Sequence, residues 1–374
     1  RGGVQPTGQD FVAAVKDLAG RAGVAFPERE ATLAELEAAA KRERRKAIME
    51  AFLGVVTAEP GAQVGKYLEK RGFTVEQAKE LDLGTYPRVG EVRAALEKAG
   101  FKAEEIEASG LVADGRWEGR LVGPWRDRWG QLGTFWARAV DGAEPKYLYL
   151  SAEKGFGRTK ASLVAAGLDV AMGCPEGRQD LVVVEGVLDV LTLQARGMKN
   201  VAAIGGAGAE LSVERLEALG RFGVEQVTLA LDNDQAGKTG ILAVLAHAAE
   251  ARGAVPRMWV LPPEFLGDAK DPDALVREEG VDAFRICLQH RQSGALYSCL
   301  APLAGITAAS PQGERLAAIE AVAKAIEKLR GPLAAVHADE AIKEAARRTG
   351  FGPEALSTLF EEAERRRRRE TLER

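Results

Sequence analysis

The sequence predicts an α/β fold built on a parallel sheet with crossover helices, and three observations support that prediction. Two apolar runs, LVVV at 181–184 and VTLAL at 227–231, are too short and too β-branched to form helices alone. A helical pattern, LSVERLEALGRFG, lies between them, which gives the order strand, helix, strand. Both runs are followed by carboxylates, which is typical of parallel strands that pass into ligand-binding loops.

Six carboxylates follow the strand-like segments of this central region. They are Glu185, Asp189, Asp232, Asp234, Asp271 and Asp273, the last two after the run MWVLPP. Because ligands bind at the carboxyl ends of parallel strands, we expect these side chains to converge on one edge of the sheet. Their mutual repulsion predicts a bound cation, and hard oxygen ligands favour Mg²⁺ or Mn²⁺ in a site for phosphoryl transfer. The alternative is that these residues are only turn formers and helix caps.

Composition limits the possible classes of protein. The 374 residues allow two or three domains, and the net charge of −4 requires that any DNA binding come from a local patch. The three cysteines form no CxxC pair and the three histidines are scattered, so the sequence predicts no zinc site. No apolar run reaches membrane-spanning length and no signal peptide is visible, so we expect a cytoplasmic protein.

The flanking regions differ from the centre. Residues 119–150 alternate and carry Gly turns, so they are β-like, and they interleave Trp with Arg. Such interleaving can stack bases and bind phosphates, or it can form a sheet core with cationic edges. Residues 300–374 have apolar positions at helical spacing. We therefore predict an α+β subdomain over 1–160, the α/β domain over 161–292 and a helical subdomain over 293–374.

The central motifs resemble those of the TOPRIM domain. They are Glu185-Gly-Val-Leu-Asp189, Gly205-Gly206, Asp232-Asn-Asp234-Gln-Ala-Gly237 and Lys270-Asp271-Pro-Asp273. This domain occurs in bacterial-type primases, in type IA and type II topoisomerases and in some nucleases. The order of the motifs is most similar to that of the bacterial-type replicative primases. Residues 67–87, YLEKRGFTVEQAKELDLGTYP, also resemble the helical segment that leads into primase cores.

The resemblance implies a primase core that synthesises short RNA primers on single-stranded DNA. It implies four catalytic residues, Glu185, Asp189, Asp232 and Asp234. It implies five ligands for Mg²⁺ or Mn²⁺, namely Glu185, Asp232, Asp234, Asp271 and Asp273. It implies a nucleic-acid and nucleotide surface of Arg116, Arg120, Arg138, Lys146, Tyr147 and Lys160. The expected partners are the template strand, nucleoside triphosphates, a replicative helicase and a zinc-binding module in cis or in trans, with no membrane.

Three other functions remain to be weighed against the primase. A TOPRIM nuclease that cleaves phosphodiester bonds is the main alternative. A topoisomerase is disfavoured because it needs a nucleophilic tyrosine, and none of the five tyrosines has a recognisable catalytic setting. A binding module without activity is disfavoured because every acidic position is present.

Overall fold

The structure is a computed structural model, and it divides into two compact units. It describes residues 8–24, 32–58, 61–112, 115–150, 164–204, 211–330 and 333–352, together with Leu356, Phe360, Glu361 and Arg365. The first unit comprises Arg1–Leu68 and Ala78–Thr159, and the second comprises Glu69–Gln77 and Lys160–Arg374. The further division of the second unit at 292/293 stays a prediction.

The N-terminal part is mostly helical and carries one antiparallel sheet. Its helices are α1 (Gly8–Arg21), α2 (Leu33–Thr57), α3 (Ala62–Lys70), α4 (Val75–Glu80), α5 (Val89–Lys98) and α6 (Ala103–Ser109). Its strands are β1 (Gly84–Thr85), β2 (Leu121–Arg126), β3 (Leu132–Arg138) and β4 (Tyr147–Tyr149), paired in chain order. Helix α2 begins where Thr32 and Glu35 cap each other's backbone N–H groups. The predicted β-like segment is therefore the hairpin β2–β3 and its neighbour β4.

The second unit contains the predicted parallel sheet. Its strands are β5 (Leu181–Val184), β6 (Val201–Ala203), β7 (Gln226–Leu229), β8 (Arg257–Val260) and β9 (Gln292–Ser293). They lie in the order β6-β5-β7-β8-β9, and only the β8–β9 pair is antiparallel. The α/β prediction is confirmed. Strand β5 is buried along its whole length, which explains its unbroken apolar sequence.

Helices cover this sheet and continue beyond it. They are α7 (Leu168–Met172), α8 (Pro175–Gln179), α9 (Val187–Ala195), α10 (Val213–Arg221), α11 (Gln235–Glu250), α12 (Pro272–Glu279), α13 (Val281–Leu288), α14 (Gly294–Leu300), α15 (Gln312–Glu327) and α16 (Ala334–Thr349). The last three share an apolar core in which α16 contributes only small buried residues such as Ala338 and Ala341. None of the helices in the described ranges is long and apolar enough to cross a membrane.

Candidate active site

The first two carboxylates lie at the carboxyl end of strand β5. Glu185 follows the strand directly and is half-buried, and Asp189 lies in the first turn of α9. The Asp189 carboxylate accepts a hydrogen bond of 2.9 Å from the Gly186 N–H, which fixes the side chain against the start of the helix. A Cβ at Gly186 would lie 2.6 Å from Asp189 Oδ2, so a larger residue at this position would displace the Asp189 carboxylate from the start of the helix.

The next two carboxylates follow strand β7. Asp232 is half-buried, and its Oδ1 atom is buried without a hydrogen-bond partner among the described residues. Asp234 is exposed and caps α11, because its carboxylate accepts a 2.8 Å hydrogen bond from Gly237 N–H. A Cβ at Gly237 would lie 2.1 Å from the Asp232 carbonyl oxygen, which explains the glycine after Asp-x-Asp-x-Ala.

The last two carboxylates open helix α12. Asp271 is its N-cap and accepts a 2.7 Å hydrogen bond from Ala274 N–H. Asp273 is only 1% exposed, and its Oδ2 atom accepts hydrogen bonds from Arg277 Nε at 2.8 Å and Arg71 Nη1 at 3.1 Å. Its Oδ1 atom has no hydrogen-bond partner among the described residues. A buried carboxylate oxygen without a hydrogen-bond partner destabilises the folded state unless a cation binds to it.

Three of these carboxylates, Asp189, Asp271 and Asp273, converge most closely. Each offers one oxygen, and these oxygens lie within 4.8 Å of one another. Within the described parts of the chain, this is the one group of acidic, His or Cys side chains with such spacing. The structure therefore brings together residues from β5–α9 and from α12, as the predicted convergence on one edge requires.

Burial and mutual repulsion shift the titration of two members. Burial is the main cause that raises the pKa of Asp189 to about 8. The negative charges of Asp271, Asp273 and Asp232 raise it further. Burial also raises the pKa of Asp232 to about 7, and Glu185 and Asp271 add to that effect. Asp234 adds a smaller effect on Asp232, so all six carboxylates form one electrostatic cluster.

The cluster fits a divalent cation. The donors are carboxylate oxygens, two of them are buried and unpartnered, and the protonated state that burial favours would give way to the charged state beside a cation. Asp189, predicted to be catalytic rather than a ligand, lies in the closest group of three, and Asp234 does not. Which carboxylates bind the metal stays a prediction, as does the absence of a zinc site.

Sequence reasoning did not single out Arg71, although the structure places it at the site. It follows the last residue of α3, and its guanidinium contacts a carboxylate 202 positions further along the chain. Its backbone carbonyl accepts a 3.3 Å hydrogen bond from Arg196 Nη2. The only sequence signal was the KRG that ends the helical segment similar to primases.

The predicted nucleic-acid residues lie in the first unit, apart from Lys160, which is outside the described residues. Arg116 and Lys146 are exposed, whereas Arg120 is 5% exposed. The Arg120 guanidinium donates to the carbonyls of Arg116 at 2.5 Å and Pro145 at 2.7 Å. Arg120 therefore cross-links two backbone segments, and these contacts favour a positioning role over direct contact with a nucleic-acid strand.

Arg138 and Tyr147 form a pair, because Arg138 Nη1 donates to the Tyr147 hydroxyl at 2.5 Å. Both side chains are half-buried, and the guanidinium carbon lies 5.0 Å from the centre of the Tyr147 ring. Their pairing on neighbouring strands β3 and β4 presents one cation and one ring together.

The tryptophans of this region mostly form the sheet core. Trp117, Trp125 and Trp136 are buried, and Trp129, at the turn between β2 and β3, is 51% exposed. The core alternative is therefore correct for three of the four, which removes them as base-stacking groups. Trp129 keeps an accessible ring, and Arg128 lies 4.1 Å above its centre.

Two family models match separate parts of the chain. The DNA primase catalytic core N-terminal domain matches residues 52–162, and the Toprim-like domain matches residues 182–276. Together the two matches support a DnaG-like primase core with a Toprim-like domain. The resemblance inferred from the motifs is confirmed, and the second match contains all six candidate carboxylates.

Similar proteins agree with this assignment. A DNA primase of Deinococcus radiodurans is 33% identical over 222 residues, which cover 56% of this chain and 37% of the relative. A DNA primase of Pseudomonas aeruginosa is 30% identical over 295 residues, which cover 74% of this chain and 42% of the relative. The chain thus spans well under half the length of these two relatives.

Solved structures show the same fold. The RNA polymerase domain of Mycobacterium tuberculosis primase DnaG, in complex with a double-stranded DNA oligomer that has a 6-nucleotide overhang, matches with a TM-score of 0.66 and 24% identity. The match covers 81% of this chain and 96% of that one. A DNA primase domain from Pseudomonas aeruginosa matches with a TM-score of 0.57 and 26% identity, over 79% of this chain and 91% of that one.

Proposed function

We propose that this chain is a primase catalytic core that joins ribonucleotides into short RNA primers on single-stranded DNA during replication. The observation that carries the proposal is the cluster in which Asp189, Asp271 and Asp273 meet, with buried oxygens on Asp273 and Asp232 that have no hydrogen-bond partner in the described parts of the chain. Similarity to DnaG-like primases supports a nucleotidyl transfer on a template over hydrolysis of the template.

The chain's own residues would prepare the site for this reaction. Bound Mg²⁺ or Mn²⁺ would supply positive charge for the triphosphate and for the charge that develops on phosphorus. We assign the ligands to Glu185, Asp232, Asp234, Asp271 and Asp273. Two arginines fix the Asp273 carboxylate, and the Gly186 N–H fixes the Asp189 carboxylate. Such fixed donors need little reorganisation when substrate binds.

Proton transfer would involve the first strand end. Glu185 is half-buried and close enough to Asp232 to raise the pKa of that carboxyl, so it belongs to the same cluster. We assign to Glu185 either a ligand role or acceptance of the proton from the primer 3′-hydroxyl. Asp189 adds a fixed carboxylate to the cluster, because the Gly186 N–H at the start of α9 donates a hydrogen bond to it.

The template and nucleotide surface is assigned to the first unit. Exposed Arg116 and Lys146 would contact phosphates, and the Arg138–Tyr147 pair would contact a phosphate and a base. Arg120 would hold this region in shape, and Lys160 completes the assigned set. A DnaG primase catalytic domain with a TM-score of 0.63 and 24% identity is bound to single-stranded DNA, and we carry that partner over to this chain as a proposal.

Two further partners belong to the proposal. The Aquifex aeolicus primase, 19% identical with a TM-score of 0.60, has zinc-binding and RNA polymerase domains in one structure. We propose that a zinc-binding module, in cis or in trans, and a replicative helicase act with this chain. Without that module the chain should extend an annealed primer but select initiation sites weakly.

One assay tests the activity. The full chain is incubated with labelled ribonucleotides, Mn²⁺ and single-stranded DNA, with and without an annealed primer, and the products are resolved by length. We expect short products that depend on the template. Shortening of the template would instead support the nuclease, and template binding with neither product would support a binding module.

A matched pair of variants ties the activity to the cluster. Asp232→Asn should abolish synthesis, whereas Asp268→Asn, an exposed aspartate before α12, should leave it unchanged. Full activity in both single variants, Asp232→Asn and Asp234→Asn, would contradict the proposed metal centre.

A further inference from the structure

A cleft of about 660 Å³ lies within the second unit, and its lining includes Gln235, the residue directly after Asp234. Helix α11 lines it through Gln235, Lys238, Thr239 and Leu242, which lie three or four residues apart on one face. Other lining residues come from the short helix Pro263–Leu266, from the segment before β9, and from α14 and α16. None of the six candidate carboxylates lines it. The volume is that of an ordinary small-ligand site.

Two stacked rings form a flat apolar surface in this cleft. The Phe265 and His290 rings lie 4.7 Å apart between centroids and only 5° from parallel. Phe265 is 42% exposed, although Pro263 and Leu266 of the same short helix are buried. An exposed aromatic ring held parallel to a second ring can accept a third flat ring, and a nucleobase is such a ring whatever its identity.

Tyr297 places a polar group beside this surface. The side chain is 8% exposed and lines the cleft, yet its hydroxyl has no hydrogen-bond partner in the part of the chain that the structure describes. Burial, with the nearby Glu264 charge, raises the pKa of Tyr297 to about 12, so the hydroxyl remains a donor at neutral pH. A ligand oxygen or ring nitrogen that enters the cleft would accept a hydrogen bond from this hydroxyl.

The charges limit what the cleft can hold. Its charged lysine, arginine and glutamate residues are Lys238, Arg348, Glu264 and Glu344. Glu344 is paired with Arg348 at 2.5 Å and with Arg347 at 2.7 Å, so its charge is compensated. Lys238 forms no ion pair with a carboxylate among the described residues. One free cation opposed by Glu264 suits a single phosphate and disfavours a triphosphate.

We propose that this cleft binds one nucleotide unit, with its base stacked on Phe265 and His290, a hydrogen bond from Tyr297, and its phosphate at Lys238. The amides of Gln235 and Gln292, which also line the cleft, offer donors and acceptors to a base edge. The same chemistry describes a free nucleoside monophosphate or one nucleotide of a single strand. The site needs neither the metal nor the proposed primase activity.

The test is calorimetric titration of the full chain with AMP in the presence of EDTA, which silences binding that depends on a metal. We expect a dissociation constant between about 0.1 and 5 mM, as for a small polar ligand with one stack and one charge contact. Adenosine should bind more weakly than AMP, and ribose 5-phosphate should not bind detectably, because the base supplies the stacking.

Three variants check the assignment. Phe265→Leu keeps an apolar side chain but removes the ring, and it should weaken AMP binding about tenfold or more. Tyr297→Phe should weaken it about threefold to tenfold, and Lys238→Ala should abolish the preference for AMP over adenosine. Ile286→Ala changes an exposed apolar residue of α13 that does not line the cleft, and it should have no effect. Thermal melting verifies that each variant is folded.

A competition with a short adenine deoxyoligonucleotide separates the two sources of ligand. Displacement of AMP by the strand assigns the cleft to single-stranded nucleic acid, and a lack of displacement assigns it to free nucleotides. The proposal is overturned if wild-type protein does not bind AMP, if ribose 5-phosphate binds as tightly as AMP, or if folded Phe265→Leu and Tyr297→Phe both keep full affinity.

Discussion

Two buried charged residues, Asp273 in the carboxylate cluster of the second unit and Arg120 in the basic hairpin region of the first unit, differ in how fully their polar atoms are hydrogen-bonded. In the cluster, one oxygen each of Asp232 and Asp273 is buried without a hydrogen-bond partner among the residues that the structure describes, and burial raises the pKa of Asp189. In the hairpin region, buried Arg120 is bound to two backbone carbonyls. The Nε atom of Arg138 in the hairpin region is also buried without a partner among the described residues, so it is the grouping of several carboxylates around such oxygens that marks a cation site.

The largest loss of activity is expected from a change to a carboxylate of the cluster. Asp232→Asn should lower primer synthesis by about 1,000-fold or more, because a ligand for the metal is lost. The same variant should melt in EDTA at an equal or higher temperature than wild type, since repulsion from Glu185 and Asp271 is relieved. Thermal melting and the primer assay give the two readouts. A variant that is both inactive and strongly destabilised would place Asp232 in the scaffold.

Arg120 should show the reverse pattern. Arg120→Ala leaves the carbonyls of Arg116 and Pro145 without their donor, so we expect the free energy of unfolding to fall by about 3 kcal/mol. Urea denaturation measures this, with Arg116→Ala as the exposed control that should change stability by less than about 0.5 kcal/mol. If Arg120→Ala is as stable as wild type and binds DNA poorly, Arg120 is a contact residue after all.

Arg71 provides a second test within the cluster, because its guanidinium holds one of the candidate carboxylates, Asp273. Arg71→Ala removes one of two arginines from Asp273 and should lower synthesis about tenfold at limiting Mn²⁺. Arg71→Lys keeps the charge and should recover part of the loss. A titration of activity against Mn²⁺ shows whether the metal requirement rises. An unchanged requirement in Arg71→Ala would mean that Arg277 positions Asp273 alone.

The pH dependence of stability without metal should carry the signature of Asp189. Its pKa is about 8 in the folded protein and near 3.8 in the unfolded chain, so the folded state binds the proton more tightly. The contribution of Asp189 to the free energy of unfolding should therefore fall as pH rises from about 4 to about 8 and then level off. Asp189→Asn should flatten this slope, and exposed Asp339→Asn should not. A slope identical in wild type and Asp189→Asn would contradict the raised pKa.

The smallest effect concerns an exposed member of the hairpin region. Lys146→Ala should weaken binding to single-stranded DNA and lower the slope of log affinity against log salt by about 0.7, as for one lost phosphate contact. Filter binding at several salt concentrations measures this. Arg365→Ala, an exposed residue near the C-terminus paired with Glu361, should leave the slope unchanged. Equal losses in both variants would mean that the nucleic-acid surface lies elsewhere.

The parallel sheet and the set of six carboxylates could both be predicted from the amino-acid sequence alone. Both follow from local rules: β-branched apolar runs form buried strands, and Asp before a helix forms its N-cap, as Asp234 and Asp271 do. The glycines of the motifs follow the same logic, because Gly186 and Gly237 lie where a Cβ would meet neighbouring atoms. These effects act over a few residues, so a single sequence records them.

The hydrogen-bond partners of the charged side chains could be assigned only from the tertiary structure. It grouped Asp189 with Asp271 and Asp273, brought Arg71 to Asp273, buried Arg120 and three tryptophans, and formed the cleft at Tyr297. Each outcome depends on which distant donor or ring fills the space around a side chain. Residue type and spacing record the chemistry that a side chain can offer, whereas its partners come from segments up to 202 residues away.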